Sequence, residues 1–474
     1  MAKMELDPAM IPEAVSWCVA HGAVYALPHA DAEALGEAYE VGGAFSHAPF
    51  SLAPFPWPRS EYEKVCEIQK TLCLVVDRAS RDGAWLERVL IETVASDEFT
   101  ANVFRVYREH PNPQPLTLGL LRSDYMLDEK DGVSRSLQVE INTIASSFAC
   151  LSETISRLHR YLAAKNKSNL EELPPNAAGR GLAAGIAEAH RAYASRRSVS
   201  SPRVAMVVQP NERNQMDQRM LEHALWDDHG IPMQRVTLKE LAKADTAPGK
   251  PLVLDGVEFS VVYFRAGYSP DDYPTSDEWT ARGLVEASLA VKCPSAAYQL
   301  AGTKKVQQAL AAPGALERFV GRSGDASARE VREVFAGLFD LDEAAPGADD
   351  AVARALDAPQ AFVLKPQREG GGNNLYDADL ADALRAMTPA QRAAYILMER
   401  ITSKPKPGAL VRNGIATAGD CVAELGVYGA FLADGPDAVL LNDVCGHLLR
   451  QKLLGVNEGG VAAGFAVLSS PALF

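Results

Sequence analysis

Cysteine is sparse and unpaired in this chain, and no CxxC motif occurs anywhere in its 474 residues. The seven cysteines (Cys18, Cys66, Cys73, Cys150, Cys293, Cys421 and Cys445) are scattered and odd in number, which argues against a zinc cluster or a dithiol redox motif. Buried, reduced thiols of a cytoplasmic protein are the expectation. Basic excess is missing too. Lys and Arg total 47 against 61 Asp and Glu, a net charge of −14, whereas a nucleic-acid binder normally presents a basic face or domain. No apolar run approaches the ~18 residues that span a bilayer. The opening residues mix acids and proline where a signal peptide would start basic and continue apolar. The expected protein is soluble and cytoplasmic, without nucleic-acid or membrane partners. Two nucleotide signatures are also absent, GxxxxGK[ST] and a GxGxxG that opens a helix. Any nucleotide site must be of another kind.

What is present is a well-provisioned core, with 47% hydrophobic residues in a length that suits two to four domains. Residues 1–120 read mostly as helix. From Tyr62, the residues Val65, Ile68, Leu72 and Val75 recur every three or four positions, and Leu86, Val89, Leu90 and Val94 repeat the pattern. Leu137, Val139 and Ile141 then alternate with Gln138, Glu140 and Asn142, which is strand spacing. Residues 202–265 read as an α/β unit: a strand at 204–208, a loop at 209–214, a helix from about Asp217 stopped by Gly230, and a hairpin or two strands around Asp255-Gly256. Two breakers are expected, an acidic loop at 340–350 and KPKPG at 404–408, with strands at 361–364 and 395–398 between them.

The most informative stretch follows the apolar FVL: Lys365, Pro366, Gln367, Arg368, Glu369, Gly370, Gly371, Gly372, Asn373 and Asn374. Consecutive glycines open backbone conformations closed to other residues, and successive amides form an anion nest suited to phosphate. A flexible surface turn would look the same from GGG alone, but Lys365 and Arg368 add positive charge and Glu369 a hard oxygen for Mg²⁺. Glu140 and Asn142, two apart on one strand, point the same way and can share a cation. Mg²⁺ takes few protein carboxylates and fills its shell with phosphate and water.

Taken together, the motifs resemble the eukaryotic-type glutathione synthetases, an ATP-grasp family. The matching stretches, in family order, are LRSDYM at 121–126, VEINT at 139–143, ERN at 212–214 with DQR at 217–219, and VYFR at 262–265 with Gly267-Tyr268. They continue with LAGTKKVQQ at 300–308, KPQREGGGNNLY at 365–376, GHLLR at 446–450 and GGVAAG at 459–464. The two long ones, at 300–308 and 365–376, are the most specific.

The resemblance implies a reaction. ATP phosphorylates the free carboxylate of γ-glutamylcysteine, glycine attacks the acyl phosphate, and glutathione, ADP and phosphate leave. It also implies site residues. Glu140, Asn142 and Glu369 would hold Mg²⁺. Lys304 and Lys365 would flank the phosphates under Gly370, Gly371, Gly372, Asn373 and Asn374. Tyr376, Met398, Glu399, Arg400, Ile401, Glu424 and Lys452 would complete the ATP site, with backbone groups at Glu399 and Ile401 reading adenine. The peptide would be taken by Arg122, by Ile144, Ala145, Ser146 and Ser147, by Glu212, Arg213, Asn214 and Gln218, and by Arg265, Ala266, Gly267 and Tyr268. Arg450, Val461 and Ala462 would complete that half. Arg122, Lys365 and Arg450 are the implied catalytic residues, and forked arginines suit a substrate with two carboxylates. Ala266 departs from the family pattern, where some members carry Asp, as do the order Ala145-Ser146, Cys150 and Glu458.

The implied architecture is an α/β (α+β) ATP-grasp fold. Residues 1–201 and 304–474 would form the body, 202–303 an inserted α/β substrate-binding domain, and about 340–420 a lid, in a homodimer. Three alternatives stand beside glycine ligation: a homoglutathione-type synthetase using β-alanine or another small amine, a nucleotide-binding protein without catalysis, and a ligase of dipeptides or amino acids outside glutathione metabolism.

Overall fold

The computed structural model describes residues 10–27, 45–130, 132–167, 170–199, 201–210, 212–320 and 324–474. The N-terminal residues 1–9, and Asn211 of the 209–214 loop, lie outside them.

The chain has the expected mixed α/β fold, and three sheets position its cleft. The largest has seven strands in the order Lys406–Arg412, Phe50–Ser51, Val467–Ser469, Ala438–Leu453, Ile415–Asp434, Leu116–Lys130 and Val133–Asn142. Its central strands are covered on both faces, so their side chains alternate between two cores. Leu425, Val427 and Phe431 join Ile68, Leu72 and Val76 of the helix Arg59–Arg81 on one side. Tyr428, Ala430 and Leu432 join Leu151, Ile155, Leu182 and Ile186 of the helices Ala149–Lys165 and Ala178–Arg197 on the other. The apolar stripe beginning near Tyr62 is therefore the face that Arg59–Arg81 lays on the sheet. The next helix, Gly83–Ser96, buries Leu86 and Leu90 and is capped by the Asp82 carboxylate.

The second sheet sets four parallel strands in the order Val291–Cys293, Val257–Phe264, Arg203–Val207 and Met233–Val236. Leu252–Leu254 pairs antiparallel with Val257–Phe264. Asp255 and Gly256 between them take φ of +50° and +78°, so the expected turn is a hairpin with both central residues left-handed. The helix expected from about Asp217 runs Gln215–His229 and ends at Gly230, φ +68°.

The third sheet is antiparallel: Leu338–Asp340, Tyr395–Glu399, Phe362–Pro366 and Leu375–Tyr376. Both expected breakers need correction. Asp340 closes a strand and Ala348 opens the helix Ala348–Asp357, so only the middle of 340–350 is loop. Lys406, Pro407 and Gly408 lie inside the strand Lys406–Arg412. Proline is tolerated there because the strand is an edge at that point: its outer side meets Phe50–Ser51 only at Leu410 and Val411.

Candidate functional site

A cleft of about 410 Å³ opens where the three sheets meet. At one end, two lysines and two acids converge. Lys365 sits on Phe362–Pro366, nearly fully buried, and its Nζ donates to the Val139 carbonyl at 2.7 Å. That carbonyl belongs to a bulge: pairing passes from Asp124↔Glu140 to Tyr125↔Gln138, leaving Val139 without a partner residue. Lys304, in the first turn of the helix Lys304–Ala311, donates to Glu369 Oε1 at 2.6 Å and to the Arg368 carbonyl at 2.8 Å. The Glu140 carboxylate lies 3.6 Å from Lys304 Nζ and 3.7 Å from Lys365 Nζ.

Charge and burial compete here. Burial pushes the Glu140 carboxyl up, but the ammoniums of Lys304 and Lys365 outweigh it and hold the group well below the usual carboxylate range. For Glu369 burial wins and its carboxyl is raised. Burial depresses the Lys365 ammonium. Burial pulls Lys304 the same way, but Glu369 and Glu140 overcome it, so this ammonium is raised.

The loop over this end runs through left-handed backbone. Gly370, Gly371 and Gly372 take φ of +95°, +75° and +79°, three successive left-handed residues. The Asn373 amide donates to the carbonyls of Glu369 and Gly371 at 3.3 and 3.1 Å, closing the loop on itself. The Gly372 N–H donates to Glu458 Oε2 at 2.8 Å, tying the loop to the 457–462 segment.

Beyond the lysines the walls turn apolar, with Met126, Val363, Met398, Ile401, Val422 and Leu454 facing the cleft. The Glu399 N–H is given to the Gly337 carbonyl and the Arg400 N–H to the Ala361 carbonyl, both at 2.8 Å. The expectation that backbone groups at Glu399 read adenine is thereby corrected for its amide, which the sheet already uses. Asn457 gathers the charged and hydroxyl groups around this end. Arg400 donates to its side chain at 2.7 Å, while Lys452 at 2.6 Å and Tyr376 at 3.5 Å donate to its carbonyl. Asn374 donates to the Tyr376 hydroxyl at 3.4 Å.

Across the strand pair from Glu140 stands Asp124, fully buried on Leu116–Lys130. Arg122 grips it with Nε at 2.7 Å and Nη2 at 2.8 Å; Asn142 Nδ2 donates at 3.0 Å and Arg450 Nη2 at 3.1 Å. Arg450 also pairs with Glu424, whose carboxyl burial raises. The turn after Asn142 carries two left-handed non-glycine residues, Ala145 (φ +51°) and Phe148 (φ +73°). Asp217 holds it, accepting the N–H groups of Phe148, Cys150 and Leu151 at 2.8, 2.9 and 3.2 Å, and Arg265 Nη1 at 3.1 Å. The Glu212 carboxylate, held by the Asn214 N–H at 2.7 Å and by Gln218 Nε2 at 3.3 Å, completes this group.

Nearly all the residues singled out from sequence face this one cleft. Six stand behind its walls instead. The Ser146 hydroxyl goes to the carbonyls of Leu120 and Asn142, Gln218 supports Glu212, and Arg213 reaches the carbonyls of Ala26 and Ala462. Ala266 is buried, Gly267 lies in the backbone leading to Tyr268, and Gly372 spends its amide on Glu458. Sequence reasoning passed over Asp124 and Asp217 as individual residues, and over the apolar wall. Asp124 had a signal, its place two residues from Arg122; an isolated Met126 or Val422 reads like any core residue.

Among the described residues no cluster of three or more His, Cys, Asp or Glu forms a metal cage. Glu140 and Glu369 offer two carboxylates facing one ammonium. Asn142, its amide nitrogen directed at Asp124 and the Arg122 carbonyl, is left with an amide oxygen. That hard, oxygen-only and incomplete set fits Mg²⁺, which keeps water and phosphate in its shell.

Residues 5–473 match the family model described as eukaryotic glutathione synthase, ATP binding domain. The glutathione synthetase of Dictyostelium discoideum is 39% identical, with 97% of this chain and 98% of that protein aligned. The Homo sapiens glutathione synthetase is 41% identical over 90% of both. The chloroplastic glutathione synthetase of Solanum lycopersicum is 42% identical over 90% of this chain and 77% of its own. A glutathione synthetase-like effector from Globodera pallida, solved in its apoform, superposes with a TM-score of 0.78 at 23% identity, covering 100% of this chain and 99% of that one; it shares the fold. With a family model spanning nearly its whole length and relatives this similar, the chain belongs to the eukaryotic glutathione synthetase family of ATP-dependent ligases.

Proposed function

We infer that this protein joins glycine to γ-glutamylcysteine, using ATP, through an acyl phosphate. The observation that carries the reading is how charge is distributed in this cleft. Lys304, Lys365 and the left-handed glycines surround a pair of carboxylates, and next to them stand Arg122 and Arg450 beside a clamped, strained turn. A phosphate-binding region set against a carboxylate-binding one is what transfer of a phosphoryl group onto a carboxylate requires.

The chain's own residues mainly position and neutralise. Lys365 and Lys304, anchored by the Val139 carbonyl and by Glu369, hold two positive charges beside the transferring phosphoryl group. The amides of Gly370 and Gly371 cover it and exclude water from the acyl phosphate, while Gly372 ties the loop to Glu458. Arg450 and Arg122, fixed by Asp124, hold the peptide's carboxylates so that one oxygen meets the γ-phosphate. Transfer of the γ-phosphoryl group to that oxygen releases ADP; the free amine of glycine then attacks the activated carbonyl carbon beneath Val461 and Ala462 and gives up a proton, and phosphate leaves with the electron pair of the broken C–O bond. Mg²⁺ held by Glu140, Asn142 and Glu369 would neutralise charge on the phosphates.

We assign 202–303 to peptide binding. We assign the lid to about 340–420, with the glycine-rich loop 369–374 closing over the cleft. A homodimer is assigned from family likeness, to be checked by light scattering. A cytoplasmic setting suits the seven free thiols. The deciding experiment is ADP release with γ-glutamylcysteine and glycine, β-alanine or serine. Turnover with glycine, and glutathione as product, is expected. ADP release that ignores γ-glutamylcysteine would overturn the reading.

A further inference from the structure

We propose that Asp272 and Gln209 are positioning residues for the peptide substrate, together locking the 267–269 segment so that Tyr268 forms a fixed wall of the cleft. This rests on the ligase reading above. Tyr268 faces the cleft, and its ring lies where a Cβ on Gly370 would come within 3.5 Å, so this side chain is the point at which the parallel-sheet module meets the glycine loop.

The segment that carries it belongs to no helix or strand, and its backbone groups are held from both directions. Asp272 Oδ2 accepts three successive N–H groups, from Gly267 at 2.8 Å, Tyr268 at 3.0 Å and Ser269 at 3.2 Å. The Gly267 carbonyl accepts from Tyr273 Oη at 3.2 Å and Gln299 Nε2 at 3.1 Å. Gly267 itself takes φ +96°, and a Cβ there would sit 2.9 Å from the Tyr273 hydroxyl, so the backbone has one way through.

Asp272 also reaches outside its own loop. Its Oδ1 accepts Gln209 Nε2 at 2.6 Å, and the same amide nitrogen lies 3.3 Å from the Tyr268 hydroxyl. Gln209 follows the strand Arg203–Val207 and precedes Glu212, which lines the cleft. One carboxylate thus ties together the segments leaving the carboxyl ends of two adjacent parallel strands, where α/β sheets place their ligands. A carboxylate that only capped the short turn Pro270–Asp272 would need the Ser269 N–H alone. The bonds to Gly267, Tyr268 and Gln209 go beyond that. Neither Asp272 nor Gln209 faces the cleft, so their effect must pass through Tyr268 and Glu212.

The test is steady-state kinetics of Asp272→Asn and Gln209→Leu, varying γ-glutamylcysteine and ATP separately, with melting temperatures alongside. Loss of bonds to a charged acceptor should raise KM for γ-glutamylcysteine roughly tenfold while KM for ATP moves less than about twofold. The double variant should be little worse than Asp272→Asn alone, because both act on one unit. If Asp272→Asn fails to fold, Gln209→Leu still decides, since it removes only side-chain bonds. Unchanged KM for the peptide in an active enzyme, or equal rises for peptide and ATP, would overturn the proposal and leave the ligase reading standing. A wild type that makes no glutathione would overturn both.

Discussion

Lys304 and Glu369 meet at 2.6 Å across 65 residues of chain, and both side chains are largely withdrawn from solvent. A buried ion pair is costly to break from one side, because the partner keeps an uncompensated charge. Here the broken pair would also lie where the proposed reaction puts ATP's phosphates.

Glu369→Ala is therefore expected to abolish ligation. Removing a preorganised group that stabilises developing charge costs about 10²–10³ in rate, or ~3–4 kcal/mol. Lys304 keeps the Arg368 carbonyl and Glu140, so the fold should survive. Near-normal kcat at saturating Mg²⁺ would sink the metal assignment, and a change confined to melting temperature would make Glu369 a structural residue.

Gly371→Val should damage kcat more than folding. The position is exposed and left-handed at φ +75°, and a Cβ there would meet nothing nearer than 3.8 Å. Space is thus not the obstacle; backbone conformation is. Forcing a β-branched residue into this region costs about 1–2 kcal/mol, which an exposed loop can shed by rearranging out of this conformation. Circular dichroism should show a folded protein whose turnover falls at least tenfold; an unfolded variant would mean the loop is a structural turn.

How much of this was legible depends on how each element meets water. The helix Arg59–Arg81 was readable because one face is buried and the other wet, leaving a 3.6-residue stripe in the sequence. The strands Leu116–Lys130 and Ile415–Asp434, which build the body of the largest sheet, are buried on both faces along most of their length. They show no alternation to detect. Met233–Val236 and Val291–Cys293 are too short to stand out. At the site, glycines and charged residues in long motifs were visible. The Val139 bulge that frees a carbonyl for Lys365 was not, since a bulge is a property of pairing register between two strands.

Acid should destabilise the protein through two buried histidines. His159 Nε2 donates to the Ser51 carbonyl at 2.8 Å and its Nδ1 meets Ser470 Oγ at 2.6 Å, satisfying the neutral ring. Burial lowers its pKa to about 4, and that of His447 to about 3. The unfolded chain takes up protons near pH 6.5 while the folded one does not, so this stability is complete above about 6.5 and is lost as pH falls toward 4. Between pH 7 and 5, His159 alone should contribute a loss of about 2 kcal/mol. Urea unfolding of wild type and His159→Gln at both pH values checks it. The variant should show the smaller loss, and equal losses would mean that the ring is charged in the fold.

The last prediction concerns the choice of amine. Val461 and Ala462 face the cleft together with Gly459 and Gly460, and the Ala462 carbonyl is tied to Arg213 Nη1 at 3.4 Å. Ala463, next in the chain, does not face the cleft and lies instead against Gly460. A pocket closed by small side chains can reject a longer amine only by contact, and one methylene is worth about 1–3 kcal/mol, or roughly 10–200-fold. Glycine should accordingly be preferred over β-alanine by a factor in that range, without absolute exclusion. Ala462→Leu should lower kcat/KM for glycine more than it raises KM for ATP: the loop runs beside the glycine loop, with Gly460 close to Gly370 and Gly371, but Lys304 and Lys365 keep anchors of their own. Ala463→Leu, behind the wall, should have the smaller effect. The measurement is kcat/KM for both amines at fixed ATP and γ-glutamylcysteine in wild type and the two variants. Equal use of glycine and β-alanine by the wild type would refute the contact argument. An Ala462→Leu enzyme that lost ATP binding as much as glycine use would show that this loop is not the amine lid.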